Sequence, residues 1–207
     1  MDMFQNAVDT VGSTLTFLVL YSILNREAKK KVQEEIERFS IEDFKCRPFN
    51  DCHLMLPYTS AFIMETMRFS CALPMIAPRV ATQDIHLDDF HIKAGTSLLV
   101  NLRALNSSKE AWNDPEKFRP ERFLEPSSGQ LDNSKTRLML SFGAGKRVCP
   151  SQKFAEQILL IFFVNLMKTY DFLPAPDAPL PTITKWFGLS YSPKPFYTQV
   201  KGRHKLG

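Results

Sequence analysis

A glycine-rich segment with a single cysteine stands directly before a long apolar run, and this junction constrains the fold more than any other feature. The segment covers residues 142–151 and reads FGAGKRVCPS. Beyond it, apolar residues recur at the three- and four-residue spacing of a helix; they are Phe154, Ala155, Ile158, Leu159, Phe162, Phe163, Leu166 and Met167. Cys149 is therefore predicted to lie just before the amino end of a buried helix.

The residue types in this segment suit a particular chemistry. Amides at a helix start, together with Lys146 and Arg147, would favour a cysteine thiolate. Gly143 and Gly145 let the backbone approach a flat group closely, and an arginine can pair with an anion. A haem fits all three features, with sulfur on the iron and Arg147 on a propionate. For a cysteine taken alone, a small buried residue in a turn is the commoner interpretation.

The order of these residues decides between the two interpretations. Phe142-x-x-Gly145-x-Arg147-x-Cys149, with Ala155 six residues further on, resembles the haem-binding signature of the cytochrome P450 monooxygenases. The resemblance implies a haem b cofactor whose iron is ligated by the Cys149 thiolate. It places these residues around the haem: Phe142, Gly143, Gly145, Arg147, Cys149 and Ala155. One position departs from the pattern, because Ser151 stands where the family usually has glycine.

Two further motifs concern charge. Glu65 and Arg68 are three residues apart on one predicted helix face, and alone they would be a surface pair worth about 0–1 kcal/mol. They match the family's Glu-x-x-Arg motif, and residues 120–123, which read PERF, match a second family motif downstream. The resemblance implies that Glu65, Arg68 and Arg122 form a buried network bracing the loop before Cys149. Unrelated surface charges are the alternative.

Residues Asp2 to Leu24 are predicted to form one long helix that is apolar nearly all round. On spacing alone, Thr10 bonding back to its own helix and Asp9 capping a neighbouring group are favoured. Residues 6–10, which read NAVDT, resemble the family's oxygen-activating segment. The resemblance implies that Asp9 and Thr10 are catalytic and deliver protons, while Asn6 and Ala7 line the substrate pocket.

The remaining pocket predictions come from two other segments. Residues 72–79, which read ALPMIAPR, are apolar and interrupted by prolines, so a helix is not expected there. By resemblance this segment lines the pocket and Arg79 holds a second propionate; an ordinary lead into a strand is the alternative for the apolar residues. Residues 188–190 resemble the family's carboxy-terminal hairpin tip. The pocket residues predicted here are Leu73, Met75, Ile76, Ala77 and Leu189.

Local patterns predict the other elements. A solvated helix is predicted from Arg26 to Phe39, capped by Asn25 and carrying a Lys31–Glu35 pair. A second helix is predicted from Pro57 to about Ser70. The rest of the chain is expected to form short strands over 80–102, one short helix over 104–113, a proline-rich meander over 114–137, and strands and turns over 183–200. The fold class is mainly α with small β sheets. Residues 1–207 are predicted to form a single partial domain, the carboxy-terminal, haem-binding portion of the family fold.

Composition indicates the class of protein and its compartment. With 44% hydrophobic and 23% charged residues the chain is globular, and a net charge of +4 does not imply a nucleic-acid partner. Its four cysteines show neither metal-ligand spacing nor a disulfide framework, which favours a reducing compartment. The apolar run from Val11 to Leu24 is about 14 residues, short of the ~20 that span a bilayer, so a buried core helix is expected.

The resemblance implies a haem-thiolate monooxygenase that inserts one atom of dioxygen into a lipophilic substrate. Its expected electron donor is an NADPH-dependent flavoprotein reductase, for whose acidic surface Lys146 and Lys153 are candidate contacts. The full-length parent is expected at the cytoplasmic face of the endoplasmic reticulum membrane, with the mitochondrion as alternative. Because the chain corresponds to less than half of a complete member, a truncated fragment that does not bind haem stably is the alternative function. A haem protein that rearranges peroxides is a third, and the Asp9–Thr10 pair argues against it.

Overall fold

The computed structural model describes residues 3–39, 53–188 and 190–203, and for residues 3–7 it describes the backbone only. Most regular structure in this part is helical. The helices are α1 (Met3–Leu24), α2 (Arg26–Glu37), α3 (Pro57–Ser70), α4 (Leu102–Asn106), α5 (Lys109–Trp112), α6 (Asn133–Arg137) and α7 (Gln152–Thr169), with 3-10 turns at Pro120–Phe123 and Gly145–Arg147. The prediction of a mainly α fold is confirmed.

Short antiparallel pairs of strands make up the β structure. They are β1 (Arg79–Val80) with β4 (Ser97–Leu98), β2 (Ile85–Leu87) with β3 (Phe90–Ile92), β5 (Tyr170–Pro174) with β8 (Thr198–Gly202), and β6 (Lys185–Phe187) with β7 (Tyr191–Pro193). Turns follow the predicted signals at 88–89 and 94–95, where Asp88 and Gly95 adopt φ of +50° and +83°. The expected small sheets are therefore present.

Helix α1 occupies the middle of the core and packs against α2, α3, α7 and β7. In its second half Phe17, Leu18 and Leu20 are fully buried, as its continuous apolar sequence predicts. Across the core, the rings of Phe62 on α3 and Phe163 on α7 stack at 5.3 Å. Within the described ranges no single helix has the length and hydropathy of a membrane span; α1 and α2 reach them only together, across a bend of 110°.

Helix α3 begins with a proline, whose fixed φ and missing amide suit the first turn. Two of its free amides are satisfied by a carboxylate from α2. Glu35 Oε1 accepts from the Tyr58 amide at 2.8 Å, and Glu35 Oε2 accepts from the Thr59 amide at 2.7 Å and from Thr59 Oγ1 at 2.6 Å. A negative charge at a helix start is stabilising, so Glu35 joins α2 to α3.

This arrangement corrects the predicted Lys31–Glu35 pair, which is wrong. Lys31 instead reaches Glu121, with Nζ and Oε1 2.7 Å apart, and Tyr58 OH donates to the same oxygen at 2.8 Å. The pair does not form because capping α3 offers Glu35 three donors, whereas an exposed i,i+4 pair is worth only about 0.3–0.5 kcal/mol.

We expect Glu35→Gln to lower the free energy of unfolding of the 207-residue chain by about 1–2 kcal/mol, because an amide NH2 would replace an oxygen that faces donors. Urea unfolding followed by circular dichroism measures the change. The control is Glu34→Gln, since Glu34 is exposed and its pair with Lys30 is 3.7 Å long. Equal effects of the two substitutions would contradict the capping role.

Two predictions about α2 are also corrected. Asn25 stands at the start of the helix but does not cap it; its side-chain amide donates to the Tyr21 carbonyl at 2.9 Å, which belongs to the end of α1. Nor is α2 fully solvated, because Lys29, Val32 and Ile36 are buried. Lys29 Nζ lies 2.6 Å from Asp171 Oδ1 on β5, so this helix is held on one face by the core.

The single helix predicted over 104–113 is replaced by two, α4 and α5. The chain turns between them at Ser107 and Ser108, and Ser108 Oγ accepts from the Ala111 amide at 3.4 Å. Serine competes for backbone hydrogen bonds in this way, which favours a new helix start over continuation.

Candidate functional site

The Cys149 loop, residues 142–151, is folded by its glycines. Gly143 and Gly145 adopt φ of +78° and +71°, a region that residues with a Cβ rarely enter. The chain then makes a 3-10 turn, and the Cys149 amide returns to donate to the Phe142 carbonyl at 2.9 Å. The Cys149 carbonyl accepts from the Gln152 amide at 3.2 Å, which leads into α7. The half-buried thiol is thus held just before the helix, as predicted.

Helix α7 is not buried all round, which corrects the sequence prediction. One face is closed against the core by Leu159, Leu160, Phe163, Val164 and Met167. The opposite face is open, with Phe154 62% and Phe162 55% exposed. Ala155 lies half-buried on the first turn of the helix. The loop with Cys149 therefore leads into a helix that presents apolar surface.

The predicted pocket segment lies close to this loop. A Cβ placed on Gly143 would be 3.9 Å from Ile76 Cδ1, an ordinary contact. The Ile76 amide donates to the Val100 carbonyl at 3.1 Å, and Met75 forms a bridge with Asn101. Leu73 is half-buried and Ala77 is exposed. The structure thus brings Ile76 to the Cys149 loop.

Two arginines predicted to hold propionates are both solvent-exposed. Arg79 is the first residue of β1 and pairs in register with Leu98. Arg147 ends the 3-10 turn two residues before Cys149. Solvent-exposed guanidinium groups remain available to an anionic partner.

The carboxy-terminal hairpin β6–β7 is anchored next to the same segment. The Tyr191 amide donates to the Ala72 carbonyl at 2.7 Å, and Lys185 Nζ donates to the Ser70 carbonyl at 2.6 Å at the end of α3. Burial lowers the pKa of Lys185 to about 8. Sequence reasoning missed Lys185, since an isolated lysine in a strand carries no signal of burial. Leu189, predicted at the hairpin tip, lies outside the described residues.

The predicted catalytic pair lies on α1, which packs directly against α7. Asp9 is exposed and Thr10 is half-buried, and the Thr10 carbonyl accepts from Thr14 Oγ1 at 2.7 Å. Asn6 and Ala7 lie on the same helix, but their side chains are outside the described part of the structure.

Glu65, Arg68 and Arg122 come together in one buried ion network. Glu65 is fully buried; its Oε2 accepts from Arg68 Nε at 2.7 Å, and its Oε1 accepts from Arg122 Nε at 3.1 Å. Glu65 Oε1 also accepts from the Arg119 amide at 2.8 Å. Because α3 and the 120–123 turn each contribute, the network fixes their relative position.

The same two arginines hold the ends of α4 and α5 and the start of the meander through backbone carbonyls. Arg68 Nη1 donates to the Asn106 carbonyl at 2.7 Å, and Arg122 Nη1 donates to the Trp112 carbonyl at 2.6 Å; these residues end α4 and α5. Arg122 Nη2 donates to the Asp114 and Lys117 carbonyls at 3.1 and 3.0 Å. Desolvation by burial lowers the pKa of Arg122. A segment with little regular structure is thereby packed firmly.

The residues around Cys149 fit the haem that the sequence implies. The thiol is half-buried and free of a disulfide. Arg147 is exposed beside it, and glycine backbone replaces side chains at two positions of the loop. The exposed Val148 and Phe154 add apolar surface on either side. An accessible sulfur, a cation and an apolar surface are what a haem needs from one of its faces.

Known proteins resemble this chain in sequence. The family model described as Cytochrome P450 matches residues 1–200. Mouse (Mus musculus) cytochrome P450 2U1 is 36% identical over 202 residues, which cover 98% of this chain and 37% of that protein. Cytochrome P450 2D10 of Rattus norvegicus is 32% identical over 196 residues, covering 95% and 38%. The chain thus spans well under half the length of the curated relatives it matches.

Solved structures of cytochromes P450 are similar to this chain in fold as well as in sequence. A zebrafish cytochrome P450 with abiraterone has a TM-score of 0.84 and 31% identity, covering 97% of this chain and 47% of that one. A zebrafish cytochrome P450 structure with progesterone has a TM-score of 0.82 and 30% identity, covering 95% and 44%.

Proposed function

This chain belongs to the cytochrome P450 family, and on that premise we propose that residues 1–207 are the carboxy-terminal, haem-binding portion of a monooxygenase. The observation that carries the proposal is the Cys149 loop, in which two glycines with positive φ and the Cys149–Phe142 hydrogen bond present a half-buried thiol before α7. The reaction inserts one atom of dioxygen into a lipophilic substrate. The zebrafish structures with abiraterone and progesterone support an apolar substrate class.

Residues of the loop, together with Arg79 and Ala155, would hold the cofactor. Cys149 would ligate the iron of haem b, and Arg147 and Arg79 would pair with its propionates. Gly143 and Gly145 would allow close approach, while Phe142 and Ala155 would complete the contact surface. When bound, the haem supplies the activation of dioxygen, which a thiolate ligand favours. The network of Glu65, Arg68 and Arg122 holds the meander that precedes the loop.

Substrate and protons are handled by other elements. The described residues proposed to line the pocket are Leu73, Met75, Ile76 and Ala77. Asp9 would accept a proton from solvent, and Thr10 Oγ1 would relay it into the pocket. Electrons come from a flavoprotein reductase, for which the exposed Lys146 and Lys153 offer positive charge. The curated cytochrome P450 relatives of this chain are of the microsomal type, which supports a location at the endoplasmic reticulum membrane.

Carbon monoxide spectroscopy tests the proposal. The restored protein is defined as residues 1–207 preceded by the amino-terminal portion of mouse cytochrome P450 2U1. It should show the reduced carbon-monoxide Soret band of thiolate-ligated haem. Cys149→Ala should abolish the band. Cys71→Ala is the matched control, because Cys71 is also free but is buried at the end of α3. Loss of the band in both variants, or in neither, would refute the assignment.

The truncated-fragment alternative is supported by the exposed apolar faces of the chain, such as that of α7. We expect the 207-residue chain expressed alone to give no stable thiolate-type band. A clean and stable spectrum from that chain would contradict this expectation and show that the fragment binds haem by itself.

Removing the Thr10 hydroxyl should change the fate of consumed oxygen. In the restored protein, Thr10→Ala should keep the carbon-monoxide spectrum, because Cys149 is untouched. It should release more hydrogen peroxide and less product per reductant consumed, since protons arrive at the wrong time. Product, peroxide and reductant are measured together, also in an Asn6→Ala background, because an amide there could hold a relay water. Unchanged product yield in both backgrounds would remove Thr10 from the mechanism.

A further inference from the structure

Ser151 occupies the residue directly before α7, where a serine ordinarily caps the helix. Its hydroxyl would then accept a hydrogen bond from an amide in the first turn. Here the side chain makes no capping hydrogen bond. Instead Ser151 Oγ lies 3.3 Å from Cys149 Sγ, within the range of a hydrogen bond to sulfur. The side chain has turned from the helix towards the cysteine.

The local backbone keeps the Ser151 and Cys149 side chains within reach of each other. Ser151 has φ −100° and ψ 15°, and its carbonyl accepts from the Ala155 amide at 2.9 Å, so the residue is already tied into α7. The Cys149 carbonyl is tied to the Gln152 amide. With both backbones fixed and one residue between them, the serine hydroxyl can reach the sulfur.

The direction of the hydrogen bond follows from the protonation state. A thiolate that ligates iron has no proton, so its sulfur can only accept and the hydroxyl must donate. Hydrogen bonds to a ligating sulfur are one means by which a protein tunes a metal centre. Glycine, which the family usually has at this position, offers no such side-chain donor.

We propose that Ser151 is a positioning residue that donates a hydrogen bond to the Cys149 thiolate and lowers the electron density that the sulfur gives to the iron. The inference rests on the proposed function and deepens it. Less donation from sulfur favours the reduced iron. The serine therefore raises the reduction potential of the bound haem relative to a chain without this hydroxyl.

The test compares three variants of the restored protein in its haem-loaded form. Ser151→Ala removes the hydroxyl, Ser151→Thr keeps it, and Ser141→Ala removes a hydroxyl of the same region that is buried and has no hydrogen-bond partner in the described structure. The readouts are the reduction potential and the iron–sulfur stretching frequency by resonance Raman spectroscopy. Neither depends on turnover.

We expect Ser151→Ala to disfavour reduction about tenfold, a shift of about 59 mV to more negative potential for one electron. Its iron–sulfur frequency should rise, while Ser151→Thr and Ser141→Ala stay near the parent protein. A normal carbon-monoxide band with unchanged potential in Ser151→Ala overturns this inference alone. Absence of the thiolate-type band in the parent protein overturns the proposed function instead.

If the parent protein cannot be loaded with haem, the effect of the serine is measured in a relative instead. Serine is introduced at the matching position of a curated relative that has glycine there. The potential should shift to more positive values by a similar amount. An unchanged potential in that relative, with its carbon-monoxide band intact, counts against the hydrogen bond.

Discussion

Glu65→Ala should cost the restored protein roughly 3–5 kcal/mol of unfolding free energy and most of its haem. The carboxylate is fully buried and balances Arg68 and Arg122, whose side chains are also almost closed from solvent. Removing one member of a buried ion network leaves uncompensated charge in a medium that solvates it poorly. Urea unfolding and the haem-to-protein ratio are the measurements.

The control for this prediction is Glu116→Ala, which removes an exposed carboxylate from the meander that the same arginines hold. It should change stability by less than about 0.5 kcal/mol. The double variant Glu65→Ala with Arg122→Ala should cost less than the sum of the single changes, since it removes two charges of opposite sign that interact. Additive effects, or equal effects of Glu65→Ala and Glu116→Ala, would show that the network does not stabilise the fold.

Phe163→Ala should destabilise the 207-residue chain by about 3–5 kcal/mol, the usual range for a buried phenylalanine. Phe163 is completely buried and its ring stacks on that of Phe62 at an interplanar angle of 15°. The substitution leaves a cavity between α3 and α7 that these helices cannot fill without moving. The shift of the urea midpoint at constant slope measures the loss.

The neighbouring residue provides the matched control. Phe162 has the same side chain on the same helix but is 55% exposed, so Phe162→Ala should change the stability of the 207-residue chain by no more than about 0.5 kcal/mol. A double-mutant cycle between Phe62 and Phe163 should give a coupling of about 0.5–1.5 kcal/mol. If the two phenylalanine variants were equally destabilised, the assignment of the inner and outer faces of α7 would be wrong.

Features that depend on neighbours in the chain could be predicted from the amino-acid order. The long helices α1, α3 and α7 follow from apolar periodicity and a proline at the first turn, and the position of Cys149 before α7 follows from the glycines and the apolar run. Glu65 and Arg68 share a face because they are three residues apart on one helix. Arg122 lies 54 residues after Arg68, and its place in the buried network was predicted from resemblance to a family and not from spacing.

Features that depend on contacts between distant segments could not be predicted in this way. Lys31 pairs with Glu121, 90 residues away, instead of Glu35, because packing of the helices brings in this partner. Local choices between polar partners could not be predicted either, since Asn25 donates to the Tyr21 carbonyl instead of capping α2, and Ser151 faces the Cys149 sulfur instead of the amides of α7. Such partners differ in energy by less than about 1 kcal/mol, so residue order does not select one of them.

The two apolar faces of α7 follow the same rule. Phe154 and Phe162 are as apolar as Phe163, so periodicity predicts a buried helix without saying which face is covered. Only the positions of α1, α2 and α3 close one face and leave the other exposed. Burial is a property of what packs against a side chain, and the chain order alone does not specify it.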